Sequence, residues 1–120
     1  MNPTANEVIV RMHAAAVADA NGTTLPCAGL ATACVQVFGT VTTATIYFEG
    51  TVDGYTWVGV LGWNRNTGVK ALTCANTTGI YVFDVTGLTE FRARLDWSAG
   101  SVDVICKGTP LPTTTLVTAS

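Results

Sequence analysis

The sequence predicts an all-β protein: a single β-sandwich of jelly-roll type, with about eight antiparallel strands and extended arms at both ends. Three observations carry that reading. Apolar residues recur with a period near two rather than 3.6. The periodic stretches are short and end at Gly, Asn, Asp or Thr. No segment combines an apolar helical stripe with helix caps. Thr, Val, Ile and aromatic residues dominate these stretches, as a pleated, half-buried surface prefers.

Taken in order, EVIVRMHA (residues 7–14) is a first strand and TACVQVFG (32–39) a second. The third, TTATIYFEG (42–50), places Ala44, Ile46 and Phe48 on one face and Thr45, Tyr47 and Glu49 on the other, so Glu49 points outward. Asp53-Gly54 is a favoured pair for a two-residue hairpin turn, because both central positions of such a turn require positive φ. The chain then returns as YTWVGVLGW (55–63), with Trp57 a large core or interface side chain. GVKALTC (68–74) is a weaker fifth strand and GIYVFDV (79–85) a sixth. EFRARLDW (90–97) has the cleanest alternation, with Phe91, Ala93, Leu95 and Trp97 toward the core and Glu90, Arg92, Arg94 and Asp96 toward water. Ser98-Ala99-Gly100 then predicts a hairpin into SVDVICKG (101–108), where Cys106 alternates with Val102 and Val104 as a small buried hydrophobe.

Residues 1–120 form one domain, since the length supports a single core. The arms cover roughly residues 1–6 and 109–120. The second carries Leu111, Leu116 and Val117 and is expected to lie against a surface. Six Lys and Arg against eight Asp and Glu give a net charge of −2, which offers nothing to attract nucleic acid or an anionic membrane. Charged residues make up only 12% of the chain, where about 25% is usual, and mean hydropathy is +0.39. A small domain so short of charge is expected to cover part of its surface with other subunits. No apolar run is long enough for a membrane-spanning helix, and MNPTANEVIV lacks the basic and apolar regions of a signal peptide, so synthesis in a cytosol is expected.

The search for chemistry returns little. Cys27, Cys34, Cys74 and Cys106 fit no zinc or thioredoxin spacing, and His13 is the sole histidine, read as a satisfied structural imidazole. Cys27 and Cys34 flank a turn-like segment and could pair in an oxidising compartment, although a cytosolic origin argues for free thiols. No nucleophile elbow, phosphate loop or His-based constellation is present, so no enzyme, cofactor or metal is expected. Glu49 and Asp53 are read as part of a sheet corner, with calcium binding the other reading of the pair. The acceptor patterns at Asn21-Gly22-Thr23 and Asn76-Thr77-Thr78 are discounted as chance matches in a Thr-rich chain. Tyr47, Tyr55, Trp57, Trp63 and Tyr81 are read as core and interface packing, with a sugar platform as the alternative. Trp63, with Asn64 and Arg65 in the loop-like stretch WNRNTG, is the expected exposed recognition group.

The order of VQVFGTVTTATIYFEGTVDGYTWVGV followed by GIYVFDVTGLTEFRARLDWSAGSVDVICKGTP resembles a pattern of small virion proteins of tailed bacteriophages over roughly residues 33–110. The motif positions are Phe48, Glu49, Gly50, Asp53, Gly54, Trp57, Asp84, Gly87, Phe91, Arg92 and Arg94. That resemblance implies a β-sandwich structural component of the particle, such as a head decoration (cement) protein on the capsid exterior, or a neck, tail or fibre module. It supplies no catalytic residue. The expected partners are the major capsid protein and further copies of the chain, as a homotrimer. A carbohydrate-binding adhesion module is the alternative.

Overall fold

The computed structural model describes residues 7–110, and Leu111, Leu116 and Val117 lie outside them. The described residues contain strands and no helix. They form β1 (Val8–Ala16), β2 (Leu25–Pro26), β3 (Thr32–Thr51), β4 (Val58–Gly59), β5 (Gly62–Asn64), β6 (Lys70–Ala71), β7 (Thr73–Ala75), β8 (Gly79–Asp84) and β9 (Glu90–Thr109). All pairings are antiparallel, in the order β1-β9-β3-β8-β5-β6, with β2 on β9 and with β4 and β7 on β3. The all-β, sandwich-like fold class therefore holds.

The centre of the fold is a ribbon of β3 and β9, paired from Thr32↔Thr109 to Thr51↔Glu90. Each strand has 20 residues. A straight strand of that length would span about 65 Å, whereas the longest dimension of the protein is 52 Å, so the ribbon bends. The bend sits where the register shifts, between Val41 and Ala44 on β3, opposite Trp97 to Gly100 on β9. Side chains alternate faces with a period of two, so a regular strand would have turned its apolar set outward past a bend. An extra residue on each strand resets the phase. Ala33, Val35 and Val37 are buried before the bend and Ala44, Ile46 and Phe48 after it; on β9, Phe91, Ala93 and Leu95 precede it and Val102, Val104 and Cys106 follow.

Gly100 makes the bend possible. Its φ is +97°, and a Cβ there would collide with the Thr40 carbonyl oxygen. The hairpin expected at Ser98-Ala99-Gly100 is accordingly absent. The chain does not reverse there, and EFRARLDW and SVDVICKG are two halves of β9, as TACVQVFG and TTATIYFEG are of β3. Short polar residues with a positive-φ glycine suit a bulge as well as a turn. The partner strand, distant in sequence, decides between them.

The two halves of the ribbon face each other across the core. Phe83 of β8, beside the first half of β3, has its ring centroid 4.7 Å from those of Phe48 and Phe91 in the second half. Phe48 also packs on Tyr81 at 5.0 Å. At the other flank, His13 of β1 donates from Nε2 to the Ala93 carbonyl at 2.6 Å, crossing from one half to the other and satisfying the buried imidazole as expected. All four cysteines are free, and Cys27, Cys74 and Cys106 are buried. Burial first, then the neighbouring Cys27 and Cys34, pushes the Cys106 thiol up to about 12, and burial followed by Glu90 pushes Cys27 up to about 11. As protonated thiols they behave as small hydrophobes.

Candidate functional site

Beyond Thr51 the chain changes character. Residues 52–57 form a loop, β4 lies along the end of β3, and Val60 donates its amide to the Phe48 carbonyl at 2.8 Å. The chain then crosses to β8, turns through β5 and β6, and rejoins β3 where Phe48 donates its amide to the Leu72 carbonyl at 3.1 Å. The expected nine-residue strand YTWVGVLGW is thus broken into β4 and β5, and GVKALTC into β6 and β7. Of the large exposed apolar residues here, Val58 and Trp63 lie on these short strands and the rest on the links around them. Val52, Tyr55, Val58, Leu61, Trp63, Val69 and Leu72 are all at least half exposed, and Tyr55 reaches 89%. Seven large apolar side chains thus stand exposed along this one excursion.

The excursion is nonetheless ordered by polar contacts. Asp53 does not form the expected two-residue hairpin; its Oδ1 accepts hydrogen bonds from the Thr56 and Tyr55 amides at 2.7 and 2.8 Å and from the Thr51 hydroxyl at 2.9 Å. Those bonds, the Thr56 amide foremost, hold its carboxyl below the usual range. Glu49 is occupied elsewhere. Its Oε1 lies 2.9 Å from Arg92 Nη2, and Arg94 Nε lies 3.2 Å from its Oε2. Arg92 rests on the Trp57 ring at 4.0 Å from the centroid and Arg94 on Tyr47 at 4.3 Å. The outer face of EFRARLDW, expected to be wet, is therefore partly roofed by two aromatics, with Arg92 and Glu49 only 14% and 15% exposed. Among the described residues, no group of three or more His, Cys, Asp or Glu converges as a metal site.

The expected recognition group divides in two. Trp63 is 56% exposed on β5, and Arg65 is exposed beyond it. Asn64 organises the loop instead, accepting at Oδ1 from the Asn66 amide at 2.8 Å and the Thr67 amide at 3.3 Å, with Nδ2 donating to the Tyr81 hydroxyl at 3.4 Å. Two grooves flank the Trp63 indole. One, of about 440 Å³, is lined by Trp63, Arg65, Gly68 and Val82. The other, of about 340 Å³, includes Leu61, Lys70 and Asp84. Thr86, through its amide first and then its hydroxyl, holds the Asp84 carboxyl below its ordinary range. The five aromatics read as a possible platform are dispersed: Tyr81 is in the core, Tyr47 and Trp57 cover arginines, and only Tyr55 and Trp63 are largely exposed.

The XepA family profile matches residues 6–110, spanning the ribbon and the excursion together. The chain belongs to the XepA family. The fold is also that of two solved structures. The SPBc2 prophage-derived protein YomS superposes with a TM-score of 0.81 at 19% identity, over 86% of this chain and 92% of YomS. The PBSX exported protein XepA superposes with a TM-score of 0.82 at 20% identity, over 86% of this chain. The chain spans 37% of the length of that XepA structure. No curated protein sequence matches the chain significantly. The burial of Phe48 and Phe91 and the engagement of Glu49, Arg92 and Arg94 give a structural reason for the motif positions noted in the sequence.

Proposed function

We propose that this XepA-family chain is a phage-encoded protein that works by adhesion rather than catalysis, binding through the apolar excursion of residues 52–72. The observation that carries the reading is the contrast in that segment: large apolar side chains stand exposed on two short strands and the connections around them, in a chain with few charges. Each Å² of apolar surface covered contributes about 25 cal/mol before ordering costs. Repetition over a lattice or a cell surface multiplies weak contacts through effective concentration. The phage assignment is supported by the likeness to YomS, which is described as an SPBc2 prophage-derived protein. In its finer form the chain is a virion structural protein that decorates the capsid exterior, binding the major capsid protein and its own copies as a homotrimer.

A second form is favoured by one observation: the XepA neighbour is described as an exported protein. On that form the chain acts as an adhesion module on a bacterial surface, with a glycan as its partner. Cosedimentation separates the two. Purified chain is mixed with expanded phage heads and, in parallel, with washed host envelopes. Saturable pelleting with heads supports decoration, and pelleting with envelopes alone supports surface adhesion. A chain that stays monomeric and pellets with neither overturns the adhesion reading.

A further inference from the structure

The groove on the Arg65 side of Trp63 has a chemistry of its own. Trp63 pairs with Val82 across β5 and β8, so indole and valine lie side by side on the outer face of the sheet. Asn64 shapes the following turn by capping the amides of Asn66 and Thr67. That turn brings Gly68, at φ +74°, back beneath the ring. A Cβ on Gly68 would lie 3.8 Å from Trp63 Nε1, so the N–H edge of the indole borders the groove. Arg65 completes the lining and takes part in no ion pair among the described residues. An indole N–H only donates, and a guanidinium offers five N–H groups and no acceptor. No carboxylate lines this groove. The set therefore suits a ligand with anionic oxygens for Arg65 and a flat, C–H-rich face for the indole and Val82.

We propose that the Trp63–Arg65 groove binds an anionic saccharide, with one sugar ring laid on the indole and its carboxylate or phosphate held by Arg65. The inference rests on the reading of the chain as a binding protein and adds the ligand class of one site. A volume of about 440 Å³ accommodates a single ring with its substituent. Two features argue against an anionic membrane as the occupant. Asp84 lines the neighbouring groove, which shares Trp63 and Val82 with this one, so a charged bilayer pressed onto this face meets a carboxylate as well as a cation. The chain as a whole is also negative, at −2. Lys70 shares its groove with Asp84 and is not part of the proposed site.

Isothermal titration of the full chain tests this with trigalacturonate and a phosphorylated maltotriose, each beside its neutral parent. Vesicles of phosphatidylglycerol are run in parallel. The expected result is saturable binding of at least one anionic probe, at least tenfold tighter than its neutral parent. Trp63→Ala and Arg65→Gln each weaken it at least tenfold, while Lys70→Gln changes it less than twofold. Both tested side chains are exposed, so their variants keep the wild-type melting temperature. Binding of neither anionic probe, equal binding of the neutral parents, insensitivity to Arg65→Gln, or binding of vesicles in place of sugars overturns the inference. A chain that binds neither anionic probe yet still pellets with heads or envelopes leaves the adhesion reading standing while this one falls, so the two fail separately.

Discussion

The ribbon of β3 and β9 and the excursion between Val52 and Leu72 are neighbours in one sheet, yet they follow opposite rules. On the ribbon, two 20-residue strands hold their register through a bend and bury nearly every inward side chain. On the excursion, strands of two or three residues and the links between them leave Val58, Leu61, Trp63 and Leu72 at least half exposed. Exposed apolar groups do not stabilise the isolated fold, so that region is better understood through what covers it. On the proposed function, the ribbon makes the scaffold and the excursion makes the contact. Substitutions should separate the two roles.

The largest effect belongs to the core. Phe48 is fully buried and packs on both Tyr81 and Phe83, so Phe48→Ala should lower unfolding free energy by about 3–5 kcal/mol, measured by denaturant titration. At the bend, Gly100→Ala forces a side chain onto a positive φ and against the Thr40 carbonyl. A loss of about 2–3 kcal/mol is expected in the same titration, and a loss below about 0.5 kcal/mol would show that the bend tolerates side chains. Glu49→Gln removes the one carboxylate shared by Arg92 and Arg94. The two guanidiniums are left facing a neutral group, at a cost of about 1–2 kcal/mol. If stability is unchanged, the aromatic roof alone holds the arginines.

The smallest effect is a pH dependence at the foot of the excursion. Bonds from the Thr56 and Tyr55 amides and the Thr51 hydroxyl depress the Asp53 carboxyl in the folded chain. A depressed folded value contributes stability that is present above the unfolded Asp value of about 3.9 and is lost as pH falls through the folded one. The melting temperature of the wild type over that of Asp53→Asn should therefore shrink as pH is lowered from about 5 toward 2. A gap that widens on acidification would contradict the assigned bonds.

What the sequence made legible follows the range of each signal. Alternation is local, and EFRARLDW and TTATIYFEG display their inward residues directly, so the core was readable at Phe48, Phe91 and Leu95. The bend was not, because Ser98-Ala99-Gly100 looks the same in a bulge as in a turn, and only Thr40 and its neighbours across the ribbon distinguish them. The ion cluster was missed for a similar reason: Glu49 stands more than 40 residues from both arginines. A signal did exist, since F-E-G and F-R-A-R both place their charges on the face opposite a buried Phe. At the candidate site, Trp63 and Arg65 emerged as exposed side chains, whereas Asn64 turned inward to cap its own loop, a common use of Asn in turns.

The division between scaffold and contact surface is tested most directly by cosedimentation of a Leu61→Ser/Leu72→Ser chain with the heads or envelopes that retain the wild type. Both positions are about half exposed, so unfolding free energy should fall by no more than about 3 kcal/mol and leave the chain folded while binding weakens at least tenfold. Undiminished pelleting by that chain would contradict the account, because the exposed excursion would then carry no part of the adhesion assigned to it.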